Sequence, residues 1–253
     1  MSVFSNAAVR LLVGLGLAGL LAACGADHDL DCLKSNGSPV VQRRAIGRHL
    51  QQVVVRDNVD LTIVPDTAIY AEVRAGENVI NDIEFSSPAG PKQLIIRNTS
   101  RCNWARSYDT PREVRLHLPY LRELVQQGYG LLSTASQWRQ DTLFLRVQSA
   151  GDINVDVHTI YLFVDVYDAG DMTLRGFAHD FHPHLGSNGF LLAGGLFTDD
   201  CYFATYPTWI GDAHVRVQAA LGGYMYGKGR FFYAGQPPFI DVRGPNAGNV
   251  SSE

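Results

Sequence analysis

Residues 143–174 read LFLRVQSAGDINVDVHTIYLFVDVYDAGDMTL, and their pattern decides the fold. Leu143, Leu145 and Val147 alternate with other residues up to a Ser149-Ala150-Gly151-Asp152 turn. Ile153, Val155 and Val157 follow, then Leu162, Val164 and Val166, and a second turn at Asp168-Ala169-Gly170-Asp171 leads to Met172 and Leu174. In a strand, residues two apart share a face, so each arm around the glycine offers one apolar face. The motif then recurs along the chain. Glycines fall at 130, 151, 170, 189, 211, 229 and 248, at intervals by subtraction of 21, 19, 19, 22, 18 and 19 residues. A fixed period of this size marks a repeat architecture in which one chain winds coil upon coil. A unit of about 20 residues cannot close a core alone, but stacked units pair their strands at roughly 4.8 Å and align their inward side chains in columns. A sandwich of hairpins also spaces strands closely; the regular glycine phase favours an all-β solenoid, mostly parallel, with about 20 residues per coil. The glycine at each corner serves either a positive φ or a close backbone approach.

The same alternation appears earlier, at Val53 and Val55, at Val59, Leu61 and Ile63, at Ile69, Ala71 and Val73, and at Leu94 and Ile96. Period-2 runs bounded by Gly, Pro, Asn and Asp are strand signals. Residues 120–127 come closest to a helical period and read equally well as a buried strand. A single solenoid domain over residues 38–250 is therefore expected, with a short tail at 251–253.

The N-terminal region has another character. Arg10 precedes an apolar run from Leu11 to Leu21, too short for a stable membrane span. It ends in Leu21-Ala22-Ala23-Cys24-Gly25, which resembles the lipobox of bacterial lipoproteins. The resemblance implies a signal peptide at 1–23, lipidation of Cys24 and an anchor in the membrane, with residues 24–37 as a tether. Several acyl chains on one residue hold far more firmly than one. Asp27, Asp29 and Asp31 read as a solvated acidic tether, and they also resemble the acidic surface-export signal of Bacteroidetes-type lipoproteins. The expected location is the bacterial cell envelope, at the outer membrane, facing the periplasm or the surface. An oxidising compartment permits a Cys32–Cys102 disulfide, which the spacing does not by itself select, and Cys201 reads as a small buried apolar residue.

The 253 residues carry a net charge of −4, with 18% charged residues and 25 glycines. That composition suits an all-β protein rich in tight turns, and no basic stripe with interleaved aromatics points to nucleic acid. There is no phosphate loop, no Gly-x-Ser-x-Gly nucleophile motif and no cofactor motif.

Several segments resemble the bacterial putative auto-transporter adhesin, head GIN domain family. They are Asp31–Gly37, Val53–Asp66 (VVVRDNVDLTIVPD), Asn98–Tyr108 with its Cys102-Asn103-Trp104, and the Gly151-Asp152 and Gly170-Asp171 turns. Gly189-Phe190 and Gly229-Arg230 depart from the pattern by lacking the aspartate. The resemblance implies a right-handed, mostly parallel β-helix and an adhesion-type role, without naming a ligand.

Three groups of residues invite chemistry. Asp152, Asp171 and Asp212 follow repeat glycines, and on adjacent coils two carboxylates would lie about 5 Å apart. That spacing approaches the pair of a retaining glycosidase and suits Ca²⁺, yet aspartate after glycine commonly caps turn amides. His179, His182 and His184, with Asp180, cluster around Pro183; two imidazoles and a carboxylate could hold a transition metal, or the run is a solvated His-rich segment. Aromatics crowd the last coils, among them Phe197, Tyr202, Phe203, Tyr206, Trp209, Tyr224, Tyr226, Phe231 and Phe232. They either cap the solenoid or offer rings for a sugar or protein partner. A non-catalytic envelope lipoprotein for adhesion, binding glycan or protein, is the leading expectation, with oligomeric state open. The alternatives are a carbohydrate-active lyase or hydrolase on the same scaffold and a structural envelope protein with no small ligand.

Overall fold

The computed structural model describes residues 35–100 and 110–253. The period-2 segments become strands. The first coils are assembled from β1 (Pro39–Arg44), β2 (Gln52–Asp57), β3 (Asp60–Pro65), β4 (Tyr70–Gly76), β5 (Ile83–Ser86), β6 (Gln93–Asn98), β7 (Arg112–Leu118) and β8 (Glu123–Gly128). One coil holds β9 (Leu132–Thr134), β10 (Trp138–Arg139) and β11 (Thr142–Val147). Four long strands follow, β12 (Ile153–Val166), β13 (Met172–Leu185), β14 (Leu191–Thr205) and β15 (Asp212–Met225). The last full coil holds β16 (Arg230–Ala234) and β17 (Phe239–Arg243), and β18 (Val250–Ser252) stacks on β16 one rung further.

The long strands stack in parallel, with partners one coil apart such as Val155↔Leu174 and Val164↔Pro183. The chain is a β-solenoid of about 6 turns. Each long strand bends midway. In β12, Val155, Val157 and Thr159 are buried, Ile160 and Tyr161 both face out, and Leu162, Val164 and Val166 turn in again. This slip in phase makes the second corner of the coil, so two arms face each other across one core. Inward side chains run in columns, for example Leu143–Leu162–Phe181–Cys201–Leu221, all buried. Each such side chain contributes about 1.5–3 kcal/mol by leaving water. Segment 120–127 supplies strand β8, not a helix. Cys201 is buried and unbridged, and burial raises its thiol pKa.

The glycine corners stack directly. A Cβ on Gly130, Gly151, Gly170, Gly189, Gly211 or Gly229 would fall within 2.5 Å of the carbonyl oxygen of, in turn, Val59, Gly130, Gly151, Gly170, Gly189 or Gly211. None of these six has a left-handed φ. The corner therefore needs a missing side chain, not a special backbone angle. Gly248 is no rung of this ladder: it sits in a 3₁₀ turn, Ala247–Asn249, with open space where its Cβ would be. The side-chain amide of Asn249 instead donates to the carbonyls of Lys228 and Gly229, at 3.3 and 3.1 Å, and closes the stack.

The N-terminal end departs from the parallel rule. β4 lies antiparallel to β1 and β7, and β5 antiparallel to β6. Parallel pairing resumes through β3–β7, β2–β6 and β2–β8.

Candidate functional site

The turn aspartates face the next coil. The N–H of Asp171 donates to Asp152 Oδ1 at 2.8 Å, and the N–H of Phe190 donates to Asp171 Oδ1 at 2.9 Å. Asp60 opens the series by accepting from the N–H of Leu131 at 2.8 Å. Each carboxylate thus satisfies an amide one rung on, which helical or hairpin pairing would otherwise have to do. Asp212 ends the row against the Arg230 guanidinium, at 3.0 and 2.5 Å. Phe190 and Arg230, which lack the aspartate, are thus the donors that end a run, and Leu131 after Gly130 donates to Asp60 in the same way.

The three histidines do not converge. Among the described residues no group of three or more His, Cys, Asp or Glu side chains is placed to hold a metal. His179 sits by the bend of β13, with Nδ1 2.6 Å from Asp199 Oδ2, and that hydrogen bond raises its pKa. His182 and His184 point outward from the second arm. Cys24, Cys32 and Cys102 lie outside the described residues.

The second arm's outer face is organised in rows that run along the solenoid axis. Phe144 stacks on Phe163 at 4.7 Å, Phe163 on His182 at 4.8 Å, and His182 on Tyr202 at 5.9 Å. Partial burial within this stack lowers the His182 pKa. Beside it, Arg146 Nε lies 3.1 Å from Glu123 and 3.0 Å from Asp165, and His184 Nδ1 lies 3.2 Å from Asp165. One coil-to-coil spacing thus repeats as an aromatic row and a charged row, because parallel in-register pairing places equivalent positions above one another.

Toward the C-terminal end the face opens into a groove of about 380 Å³ lined by His184, Ala204, Thr205, Tyr206, Pro207 and Tyr226. Tyr202, Tyr206, Tyr224 and Tyr226 are each about half exposed. Tyr167 meets Tyr206 edge-on at 5.8 Å, and burial beside Asp165 raises its phenol pKa. The groove has a cause in the sequence. Gly189 to Gly211 is the 22-residue interval, the longest of the ladder. One extra residue is absorbed by the irregular β13–β14 pairing, where Thr173 and Arg175 oppose Leu192 and Gly195. Two more lengthen the turn after Thr205, since Leu185 pairs with Thr205 while Gly189 stacks under Gly211. Trp209, fully buried, pins this longer turn, and Thr205 Oγ1 accepts from the N–H groups of Tyr226 and Gly227 at 2.9 and 2.8 Å. Tyr206 and Pro207 are left standing as one wall.

The model of the putative auto-transporter adhesin, head GIN domain family matches residues 49–237. The chain belongs to this family. Among solved structures, this GIN head domain resembles a putative adhesin from Bacteroides fragilis, with a TM-score of 0.69 and 15% identity over 85% of this chain and 95% of that one. It also resembles a putative lipid binding protein from Parabacteroides distasonis, at 0.59 and 15%, over 87% and 98%. A putative adhesin from the same species gives 0.57 and 17%, over 86% and 97%. At these identities the likeness establishes the shared solenoid. No curated protein matches the chain.

Sequence reading did not find the groove, although the 22-residue interval marks it. It also missed a cluster on the first coils, where His117 stacks on Tyr70 at 4.1 Å, Arg43 lies over the Tyr70 ring at 3.5 Å, and Asp66 reaches His117 Nδ1 at 3.1 Å. These residues come from four separate segments, the strands β1, β4 and β7 and the residue after β3, and no local spacing announces their meeting.

Proposed function

We propose that this GIN head domain is a non-catalytic adhesion module of the bacterial cell envelope, lipid-anchored at Cys24 and placed at the outer membrane. It binds a glycan or protein surface through the outer face of its second arm. The observation that carries this reading is the tyrosine-walled groove at the lengthened turn, on the same arm as the Phe144–Phe163–His182–Tyr202 stack, two residues along each strand. Half-exposed tyrosines offer flat apolar rings with polar tips, the chemistry that stacks on sugar rings and anchors protein interfaces. The turn aspartates support binding over hydrolysis, because Asp152 and Asp171 are engaged with backbone amides and Asp212 with Arg230. A Cys32–Cys102 disulfide joining the tether to the head belongs to the same proposal.

The test is a glycan and envelope-protein array probed with the full chain, with and without Ca²⁺, alongside a Tyr206→Ala/Tyr226→Ala variant. Binding that the double variant loses by about tenfold or more is expected, since two ring contacts of about 0.5–1.5 kcal/mol each are removed. Binding unchanged in that variant, or turnover of a bound glycan, would sink this reading. Radiolabelled fatty acid incorporated by the wild type and lost in Cys24→Ser checks the anchor.

A further inference from the structure

The two ends of the solenoid are finished differently. At the N-terminal end, the 3₁₀ turn Ile80–Asp82 buries Ile80 beside Val79. The Arg44 guanidinium covers that turn by donating to the carbonyl oxygens of Ile80 and Ile83. The edge strand there, β1, carries two arginines, a common way to blunt an edge. At the C-terminal end, β17 pairs with β15 on one side, and no described strand pairs with its other side. Ile240 continues the inward column above Leu221, yet it is 52% exposed, and Phe239 beside it is 73% exposed.

The backbone of β17 is also aimed outward along the axis. On this arm the inward residues send their carbonyls to the following coil: Val147 O accepts from Tyr167, Leu185 O from Tyr206 and Met225 O from Asn246, at 3.0, 2.8 and 3.1 Å. Parallel strands alternate the direction of their hydrogen-bonding groups residue by residue. Ile240 and Val242 therefore direct their N–H and C=O groups away from β15. A short apolar edge of this kind is a template for strand addition.

The strand is self-complementary. Laid antiparallel on a second copy about Val242, it sets Val242 against Val242, and Asp241 of each copy against Arg243 of the other. Both charged side chains point outward and are largely exposed, and within one chain they already pair at 2.6 Å. Pro238 before the strand and Gly244, with φ of +113°, after it restrict slippage of the register. A two-fold contact of this kind closes on itself and makes a pair, not a fibre.

We infer that the C-terminal tip of the solenoid is a self-recognition surface, through which two copies join end to end by antiparallel pairing of β17. The consequence rests on the envelope anchor proposed above. In a tip-to-tip pair β18, one rung beyond β17 on the first arm, holds the two solenoid axes at an angle that opens on that side, and their N-terminal ends point away from each other. Such a contact joins two membranes, a homophilic adhesion that the lateral groove does not provide.

The full-length chain in density-matched detergent, at sedimentation equilibrium, tests the pair. A monomer–dimer equilibrium is expected for the wild type. Asp241→Arg places like charges opposite one another twice and is expected to weaken the dimer roughly tenfold. Asp241→Arg/Arg243→Asp restores the complementary pattern and is expected to recover it. Two populations of phosphatidylcholine vesicles carrying the full-length chain are expected to dock with the wild type and the double variant, and not with the single one. A wild type that stays monomeric, a dimer indifferent to Asp241→Arg, or no recovery in the double variant would overturn the proposal. So would a monomer whose β17 amides are protected from hydrogen exchange, since another segment would then cover the edge. Tyr206→Ala/Tyr226→Ala separates the two ideas: it removes groove binding and leaves the dimer, whereas Asp241→Arg does the reverse.

Discussion

Gly170 shows how a single absent methyl sets the geometry of a corner. Its position faces the carbonyl oxygen of Gly151, a backbone atom that cannot move without shifting the coil beneath. Gly170→Ala is therefore expected to cost about 1–3 kcal/mol in urea denaturation, whereas Gly248→Ala, facing open space, should leave the midpoint unchanged. The histidines separate in a similar way. Asp199 raises the pKa of His179 and partial burial lowers that of His182, both from the ordinary 6.5. For a raised group, the contribution to stability is complete below the unfolded pKa and fades as pH rises through the folded one. For His182 the sign reverses, because the unfolded state takes up its proton first and stability falls as pH drops below the ordinary value. NMR titration should find His179 above and His182 below that value, and Asp199→Asn should bring His179 down. Equal values for the two would contradict the assignment. That Asp152 and Asp171 cap amides was legible as turn chemistry; that each amide belongs to the next coil was not.

At the scale of the element, the long strands owe their identity to alternation, and their bend to one slip in it. Thr159-Ile160-Tyr161-Leu162 shows the slip in the sequence, since Leu162 breaks the odd-numbered series of Ile153, Val155 and Val157. The inward column through β13 is expected to be the least tolerant. Phe181→Ala should cost about 3–5 kcal/mol, measured by thermal or urea unfolding, because its neighbours Leu162 and Cys201 belong to rigid adjacent strands that cannot close the gap. A loss below 1 kcal/mol would mean the column repacks. The lengthened turn after β14 leaves one trace in the chain, the 22-residue interval between Gly189 and Gly211. The interval says that residues are added; the packing of Trp209 and the irregular pairing of β14 decide where they go.

For the whole molecule, a solenoid gains its stability from neighbouring coils, so end coils have fewer partners than middle ones. Amide hydrogen exchange is expected to be slowest in β12 to β14, which are paired on both sides, and fastest in β17 and β18. In the dimer inferred above, β17 should gain protection with protein concentration while β18 serves as the internal comparison. Uniform exchange along the axis would argue against coil-by-coil stability.

The period, the strand type, the columns and the corner glycines are legible in the chain alone, because they follow from side-chain alternation and from a repeat that every coil states again. The tertiary structure decided the antiparallel first coils, the exclusion of Gly248 from the ladder, the scattering of His179 from His182 and His184, and the groove. These depend on pairings between residues from about 10 to more than 70 positions apart, such as Ser86 with Ile95 and Gln52 with Glu123. A one-residue difference in register along such a pairing changes which side chains meet, and local spacing carries no record of it.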